Sequence, residues 1–217
     1  MTPVNRYRDR AEAGHALARL LVGEHRADHA IVLALPRGGV PVAREIAPAL
    51  DASLDVFVVR KLGLPQHPEV AMGAIASGGI RLLDESLISS ERVAPLDVDR
   101  VIARETAELQ RRETLYRGNR SAPAIAGRRV ILVDDGVATG YTMRVAILAL
   151  QALRPSRLTV AIPVGAPDTC AELAAAVDEL VCPLQPDPFH AVGLWYDHFP
   201  PVSDDEVRAS LRSAATM

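Results

Sequence analysis

Thirteen consecutive residues constrain this chain more than any others: Val130-Ile131-Leu132-Val133-Asp134-Asp135-Gly136-Val137-Ala138-Thr139-Gly140-Tyr141-Thr142. Four apolar β-formers run into two adjacent carboxylates, and a loop with two glycines and two threonines follows. From Met143 to Leu153 apolar residues recur at helical spacing. The order predicts a buried parallel strand, a short loop and a helix N-terminus. A helix start exposes N–H groups that lack intrahelical partners and carries partial positive charge. A phosphate is held there without a basic side chain. Gly136 and Gly140 let the backbone turn tightly and approach an anion, and Thr139 and Thr142 add hydroxyl donors. Asp134 and Asp135 fall at the carboxyl end of the strand, where open α/β sheets bind ligands. Two carboxylates beside a phosphate would repel it, so they need another partner, either sugar hydroxyls or a hydrated metal. A phosphorylated sugar satisfies both halves of the segment. The Gly-Lys-Ser/Thr ending of a P-loop is missing, and so is the Gly-x-Gly-x-x-Gly fingerprint.

The remaining chain alternates strand and helix patterns, which predicts an α/β fold with a central, mostly parallel sheet flanked by helices. Helical spacing runs from Arg6 to Val22, Val40 to Leu50, Asp97 to Tyr116 and Asp168 to Val177. Apolar strands are expected at Ala30–Leu35, Asp55–Val59, Leu158–Val164 and Glu179–Leu184. Ser77-Gly78-Gly79 between two apolar runs signals a hairpin. A proline-rich tail from Pro183 to Pro201 is irregular and leads to a short helix near Ser203.

At 217 residues the chain has the length of one domain, with a core at about 25–185 and accessory elements from 1–24 and 186–217. A net charge of -3 argues against nucleic acid as the main partner. No apolar run is long enough to span a membrane. The polar start, Met1 to Asp9, does not read as a secretory signal. Cys170 and Cys182 are too few for a disulfide framework and are not in a metal-spaced pair. A cytoplasmic protein with reduced thiols is expected. His25 and His29 have a helical ligand spacing, but they run straight into a strand and have no third ligand nearby, so they read as surface histidines.

Leu35-Pro36-Arg37-Gly38-Gly39 joins a second strand to a helix. Its glycines permit close backbone approach, and Arg37 offers a forked donor to an anion; read alone, it is an ordinary βα turn. Arg60-Lys61 is expected to end the 55–59 strand and open a loop over Leu62–Met72. Of the 24 basic residues, Lys61 is the one lysine, which singles it out where Arg60 alone reads equally as a solvated strand end. His67 lies in the same loop and reads as a plain loop histidine. Ala191-Val192-Gly193-Leu194-Trp195-Tyr196-Asp197 follows the last strand. Trp195 or Tyr196 offers a stacking face to a flat base, or the cluster simply caps the sheet; both readings stay open.

The Val130–Thr142 segment resembles the signature of type I phosphoribosyltransferases, at all thirteen positions. That resemblance implies the type I phosphoribosyltransferase fold, with a small hairpin and flexible-loop region and a C-terminal hood. It implies binding of 5-phosphoribosyl-1-pyrophosphate with Mg²⁺ and transfer of phosphoribose to a nitrogenous base with release of pyrophosphate. By the same resemblance, Gly136 and Val137 through Thr142 (Ala138, Thr139, Gly140 and Tyr141 between them) form the 5-phosphate loop. Asp134 and Asp135 contact the ribose, and Arg37, Gly38 and Gly39 bind pyrophosphate. Arg60 and Lys61 resemble the basic pair before the family's mobile catalytic loop. The 191–197 segment is similar to the base-binding loop of hypoxanthine-type enzymes, with Asp197 as a candidate metal contact. It departs from that pattern at His198-Phe199-Pro200-Pro201, which leaves the base open, with a purine placed first. A homodimer is the family-typical expectation. The alternative function is a regulatory module of the same fold that senses nucleotides. A domain partnered with a hydrolase is a third reading, and this chain contains no hydrolase motif.

Overall fold

The computed structural model describes residues 6–22, 30–118 and 120–214. In chain order the elements are α1 (Arg10–Leu21), β1 (Ile31–Ala34), α2 (Gly39–Ala49), β2 (Ser53–Val56), β3 (Val59–Gly63), β4 (Ala71–Ala76), β5 (Ile80–Leu83), α3 (Glu85–Ser90), α4 (Pro95–Arg117), β6 (Arg129–Val133), α5 (Tyr141–Ala152), β7 (Arg157–Ala161), α6 (Pro167–Ala176), β8 (Glu179–Val181) and α7 (Asp204–Ala214), with a 3₁₀ turn at Val192–Trp195 before α7. His25 and His29 lie outside the described residues.

Five strands form one parallel sheet in the order β2-β1-β6-β7-β8. Its central strands β1 and, from Val130 on, β6 are apolar because both faces are covered. Val32, Ala34, Ile131 and Val133 face a cluster with Val42, Ile46 and Leu17 from α2 and α1. Ile31, Leu33, Val130 and Leu132 face the opposite cluster, with Met143, Ile147 and Leu150 of α5 and Leu173 of α6. Full burial of each such leucine or isoleucine is worth roughly 1.5–3 kcal/mol. From β1 the chain proceeds to β2 on one side, and from β6 to β7 on the other. The boundary between β1 and β6 is therefore the topological switch point, where crevices open at the carboxyl ends of strands.

A second, antiparallel sheet, β3-β4-β5, packs between α4 and α5. Its strands were expected only in part. The strand predicted at 55–59 ends at Val56, and a new strand begins at Val59, so Arg60 and Lys61 lie inside β3 rather than at the mouth of a loop. Leu62 and Gly63 complete that strand, Ala71 and Met72 begin β4, and only residues 64–70 connect the two. The expected 62–72 loop is thus a hairpin with a shorter connection. Short strands of mixed polarity lack the continuous apolar run that marks a buried strand, which is why sequence patterning misses β3.

α4 is anchored at its carboxyl end by a buried ion pair. Arg117 Nε lies 2.9 Å from Asp55 Oδ1, and Arg117 Nη2 donates to the Val56 carbonyl at 2.7 Å. This fixes the long helix to β2, beneath the small sheet.

Candidate active site

The two loops singled out from the sequence meet at the switch point. The Leu35 N–H donates to Val133 O at 2.9 Å, so the Pro36–Gly39 turn leaves β1 beside the end of β6. The peptide between Pro36 and Arg37 is cis. A Cβ added to Gly39 would stand 2.5 Å from Val133 O and 2.9 Å from Asp134 Cα, and one added to Gly38 would fall on the Asp135 carboxylate. Only glycine allows this approach of the turn to the acid pair. Arg37 is half exposed at the rim, with Asp204 4.0 Å away.

The loop after β6 is held from behind. Val137 N–H donates to Val164 O and Ala166 N–H to Val137 O, joining the loop to the segment after β7. Thr169 Oγ1 donates to Ala138 O at 2.7 Å, and Arg144 Nη2 to Thr139 O at 2.7 Å. With those carbonyls engaged, the backbone N–H groups of Ala138, Thr139 and Gly140 donate to no acceptor among the described residues. Gly140 has φ 71° and leads directly into α5, a left-handed conformation that favours glycine. Asp134 and residues 136–143 line a cleft of about 180 Å³ in front of these amides. Free amides, a helix N-terminus and two threonine hydroxyls in one cleft form an anion site.

The acid pair is divided by its surroundings. Asp134 lines the cleft, and its Oδ1 accepts the Asp135 N–H at 2.9 Å. Asp135 is instead gripped by Arg10 of α1, whose Nε and Nη2 both lie 2.8 Å from Asp135 Oδ2. The expectation that both acids face the cleft is corrected for Asp135. Burial pushes the Asp134 carboxyl well above the ordinary carboxylate range, and the charge of Asp135 adds to the rise. Burial also raises Asp135, against the downward pull of Arg10.

Arg10 is a site residue that sequence reasoning missed. A lone arginine at the start of a helix carries no local signal of a partner 125 positions away. The same holds for the hood around it. Tyr7 pairs with Tyr196 as an isolated parallel bridge, through Tyr7 N–H to Trp195 O and Asp197 N–H to Tyr7 O. Arg10 Nη1 donates to Pro200 O, and its guanidinium sits 3.7 Å above the Phe199 ring. Phe199 stacks on Tyr196 at 4.8 Å, while Tyr7 packs at 5.7 Å. Tyr196 is therefore buried between rings, and its hydroxyl donates to Asp135 O at 2.6 Å. A base-stacking role for Tyr196 is corrected accordingly: the side chain braces Asp135. Trp195 is half-buried, and its indole N–H has no partner among the described residues. Asp197 is largely exposed and pairs with Arg6 at 4.0 Å. Among the described residues no group of three His, Cys, Asp or Glu side chains is placed to hold a metal.

Arg60 and Lys61 part company by strand alternation. Arg60 Nε donates to Glu105 of α4 at 3.0 Å, and Leu62 on the same face is buried against α4. Lys61 shares the other face with Val59, which packs against the α5 cluster. Tyr141, the first residue of α5, donates its hydroxyl to Gly73 O of β4 at 3.3 Å. Lys61 thus lies on the face of the small sheet that meets α5. Its ammonium is only loosely held, 3.1 Å from Glu69 O and 3.3 Å from the exposed Glu69 carboxylate.

A family model of the phosphoribosyl transferase domain matches residues 4–194. Proteins of Mycobacterium tuberculosis strains H37Rv and CDC 1551, both provisionally named phosphoribosyl transferases, are 42% identical over 206 residues, or 95% of this chain. The match covers 46% of each relative, so the chain spans about half the length of the curated relatives it matches. The crystal structure of TT1426 from Thermus thermophilus superimposes with a TM-score of 0.83 at 41% identity, covering 96% of this chain and 98% of that one. The α/β fold with its central parallel sheet is that of the type I enzymes, and this chain belongs to the phosphoribosyl transferase domain family.

Proposed function

We propose that this protein is a phosphoribosyltransferase that binds 5-phosphoribosyl-1-pyrophosphate and transfers its phosphoribosyl group to a nitrogenous base, releasing pyrophosphate. The observation that carries the reading is the cleft in which the free amides of Ala138, Thr139 and Gly140 face the same space as Asp134. The 5-phosphate would rest on those amides and on the Thr139 and Thr142 hydroxyls. Asp134 would accept from the ribose hydroxyls. Arg37 and the Gly38-Gly39 backbone would hold the pyrophosphate. As the C1–oxygen bond breaks, positive charge grows on the sugar and negative charge on the leaving group. Asp134 favours the first, and Lys61, reaching from the small sheet, favours the second.

Magnesium fits this site as an ion held mainly by substrate oxygens and waters, with Asp134 as a carboxylate within reach, because Mg²⁺ commonly binds through one or two carboxylates plus phosphates. It would neutralise charge on the pyrophosphate. The base is left open: Trp195 is a half-buried aromatic of the hood that could offer it a face.

Calorimetric titration with 5-phosphoribosyl-1-pyrophosphate, with and without Mg²⁺, followed by a screen of bases for pyrophosphate release, tests the reading. Mg²⁺-dependent binding and release with one base would establish the transferase and name its acceptor. Binding without release for any base would favour the nucleotide-sensing alternative. No binding would end both. Lys61→Ala is expected to lower turnover about tenfold or more while changing substrate affinity much less, since the cation acts on charge that develops only in the transition state. Equal losses in turnover and affinity would place Lys61 in ground-state binding instead.

A further inference from the structure

The Asp135 carboxylate lies where an anion site tolerates it least. It abuts Gly38, in the turn that would hold pyrophosphate, so closely that a Cβ on Gly38 would coincide with it. Asp134 adds a second carboxyl at the same strand end. Arg10 covers Asp135 with two nitrogens at 2.8 Å, and the two side chains are only 10% and 14% exposed. The guanidinium is itself fixed on its remaining sides, by Pro200 O at 2.8 Å and by the Phe199 ring at 3.7 Å. Phe199 stacks on Tyr196, and Tyr196 returns to the backbone carbonyl of Asp135 at 2.6 Å. The contacts form a closed circuit through α1, the 195–200 segment and the acid pair. Stability alone accounts poorly for it, because buried ion pairs are about neutral against apolar replacements of similar volume.

We propose that Arg10 is a positioning residue that masks the charge of Asp135, so that the Pro36–Gly39 turn accepts pyrophosphate while Asp134 alone meets the ribose. The proposal rests on the phosphoribosyl pyrophosphate reading given above. With Arg10 in place, Asp135 is a strut between hood and core and presents no net charge to the turn. Without it, a bare carboxylate faces a loop that must take up a polyanion. The penalty is Coulombic and grows with the charge placed at that loop. In a partly buried site, unit charges a few ångströms apart interact strongly enough to shift affinity about tenfold or more. Ribose 5-phosphate places its phosphate on the other loop and escapes most of the penalty.

The test compares wild type, Arg10→Gln, and the double variant Arg10→Gln/Asp135→Asn by calorimetry, with 5-phosphoribosyl-1-pyrophosphate and with ribose 5-phosphate. Arg10→Gln is expected to weaken the pyrophosphate-bearing ligand about tenfold or more and to leave ribose 5-phosphate nearly unchanged. The double variant is expected to recover most of the lost affinity, because the uncovered charge has gone. Equal weakening of both ligands, unaltered binding of both, or no recovery in the double variant would overturn the masking role. Fluorescence of Trp195, the chain's one tryptophan, reports whether the hood stays seated. If Arg10→Gln does not fold, the double variant decides: near-wild-type affinity for both ligands supports masking, and selective loss of the pyrophosphate-bearing ligand refutes it. Wild-type protein that binds neither ligand would instead remove the phosphoribosyl reading, and this proposal with it.

Discussion

Asp134→Asn is expected to cut turnover by roughly 10²–10³-fold while raising the melting temperature of the ligand-free protein at neutral pH. The substitution keeps the Oδ1 that accepts the Asp135 N–H, so local geometry is preserved. It removes the charge set beside the sugar, which is the main catalytic contribution assigned to this side chain. The stability gain follows from linkage. Burial raises the Asp134 carboxyl in the folded state above its unfolded value. The folded protein therefore binds that proton more tightly than the unfolded chain does. Stability from this group is present below the ordinary carboxylate range, near pH 4, and is lost as pH rises through the raised value. An amide does not titrate, so the stability difference between variant and wild type should grow with pH across that window. Melting curves from about pH 4 to 8 check the sign. A variant that melts lower than wild type at pH 7 would show that Asp134 is not a strained, functionally retained charge.

Gly39→Ala is expected to be the most damaging small substitution at the site. The added methyl would meet Val133 O at 2.5 Å and Asp134 Cα at 2.9 Å, both backbone atoms at the end of the central strand. Neither can swing aside as a side chain would. Relief requires the β1 turn and the β6 end to separate, which disturbs the pyrophosphate turn and the acid pair together. Overpacking of this kind costs about 1–3 kcal/mol, and binding should fall with it. Denaturant unfolding and ligand titration on the same preparation measure both effects. Unchanged stability with intact binding would contradict the packing at the switch point.

The legible parts of the sequence were those in which cause and effect lie close together. The β6 strand, its loop and α5 are encoded within one contiguous stretch, and the expected order appears where the pattern placed it. The Pro36–Gly39 turn was legible as a strand-to-helix turn, whereas its approach to the acid pair shows only in the packing against Val133 and Asp134. The small sheet was harder. β3 carries Arg60 and Lys61 in its middle, and its polar character is satisfied by Glu105 and Glu69, which no local pattern announces. Arg10 and Tyr196 were illegible for a different reason. Their roles exist only after α1 and the 195–200 segment have been brought to the sheet, so nothing near them in sequence could disclose them. The aromatic run was read for its chemistry, a flat face for a base, while packing assigns Tyr196 a place between two rings.

The hood contact has a temporal side. Arg10 and Pro200 are 190 positions apart, and the contact between them is needed to complete the circuit around Asp135. Contacts of such sequence separation carry the largest loop-closure entropy and form late in folding. During synthesis the sheet, the 5-phosphate loop and the pyrophosphate turn can assemble while Arg10 still waits for its partner. A nascent chain that has passed β8 would thus hold the anion cradle beside an uncovered acid. The arrival of the 195–200 segment would then seat Arg10 on Asp135 and complete the cover over that acid.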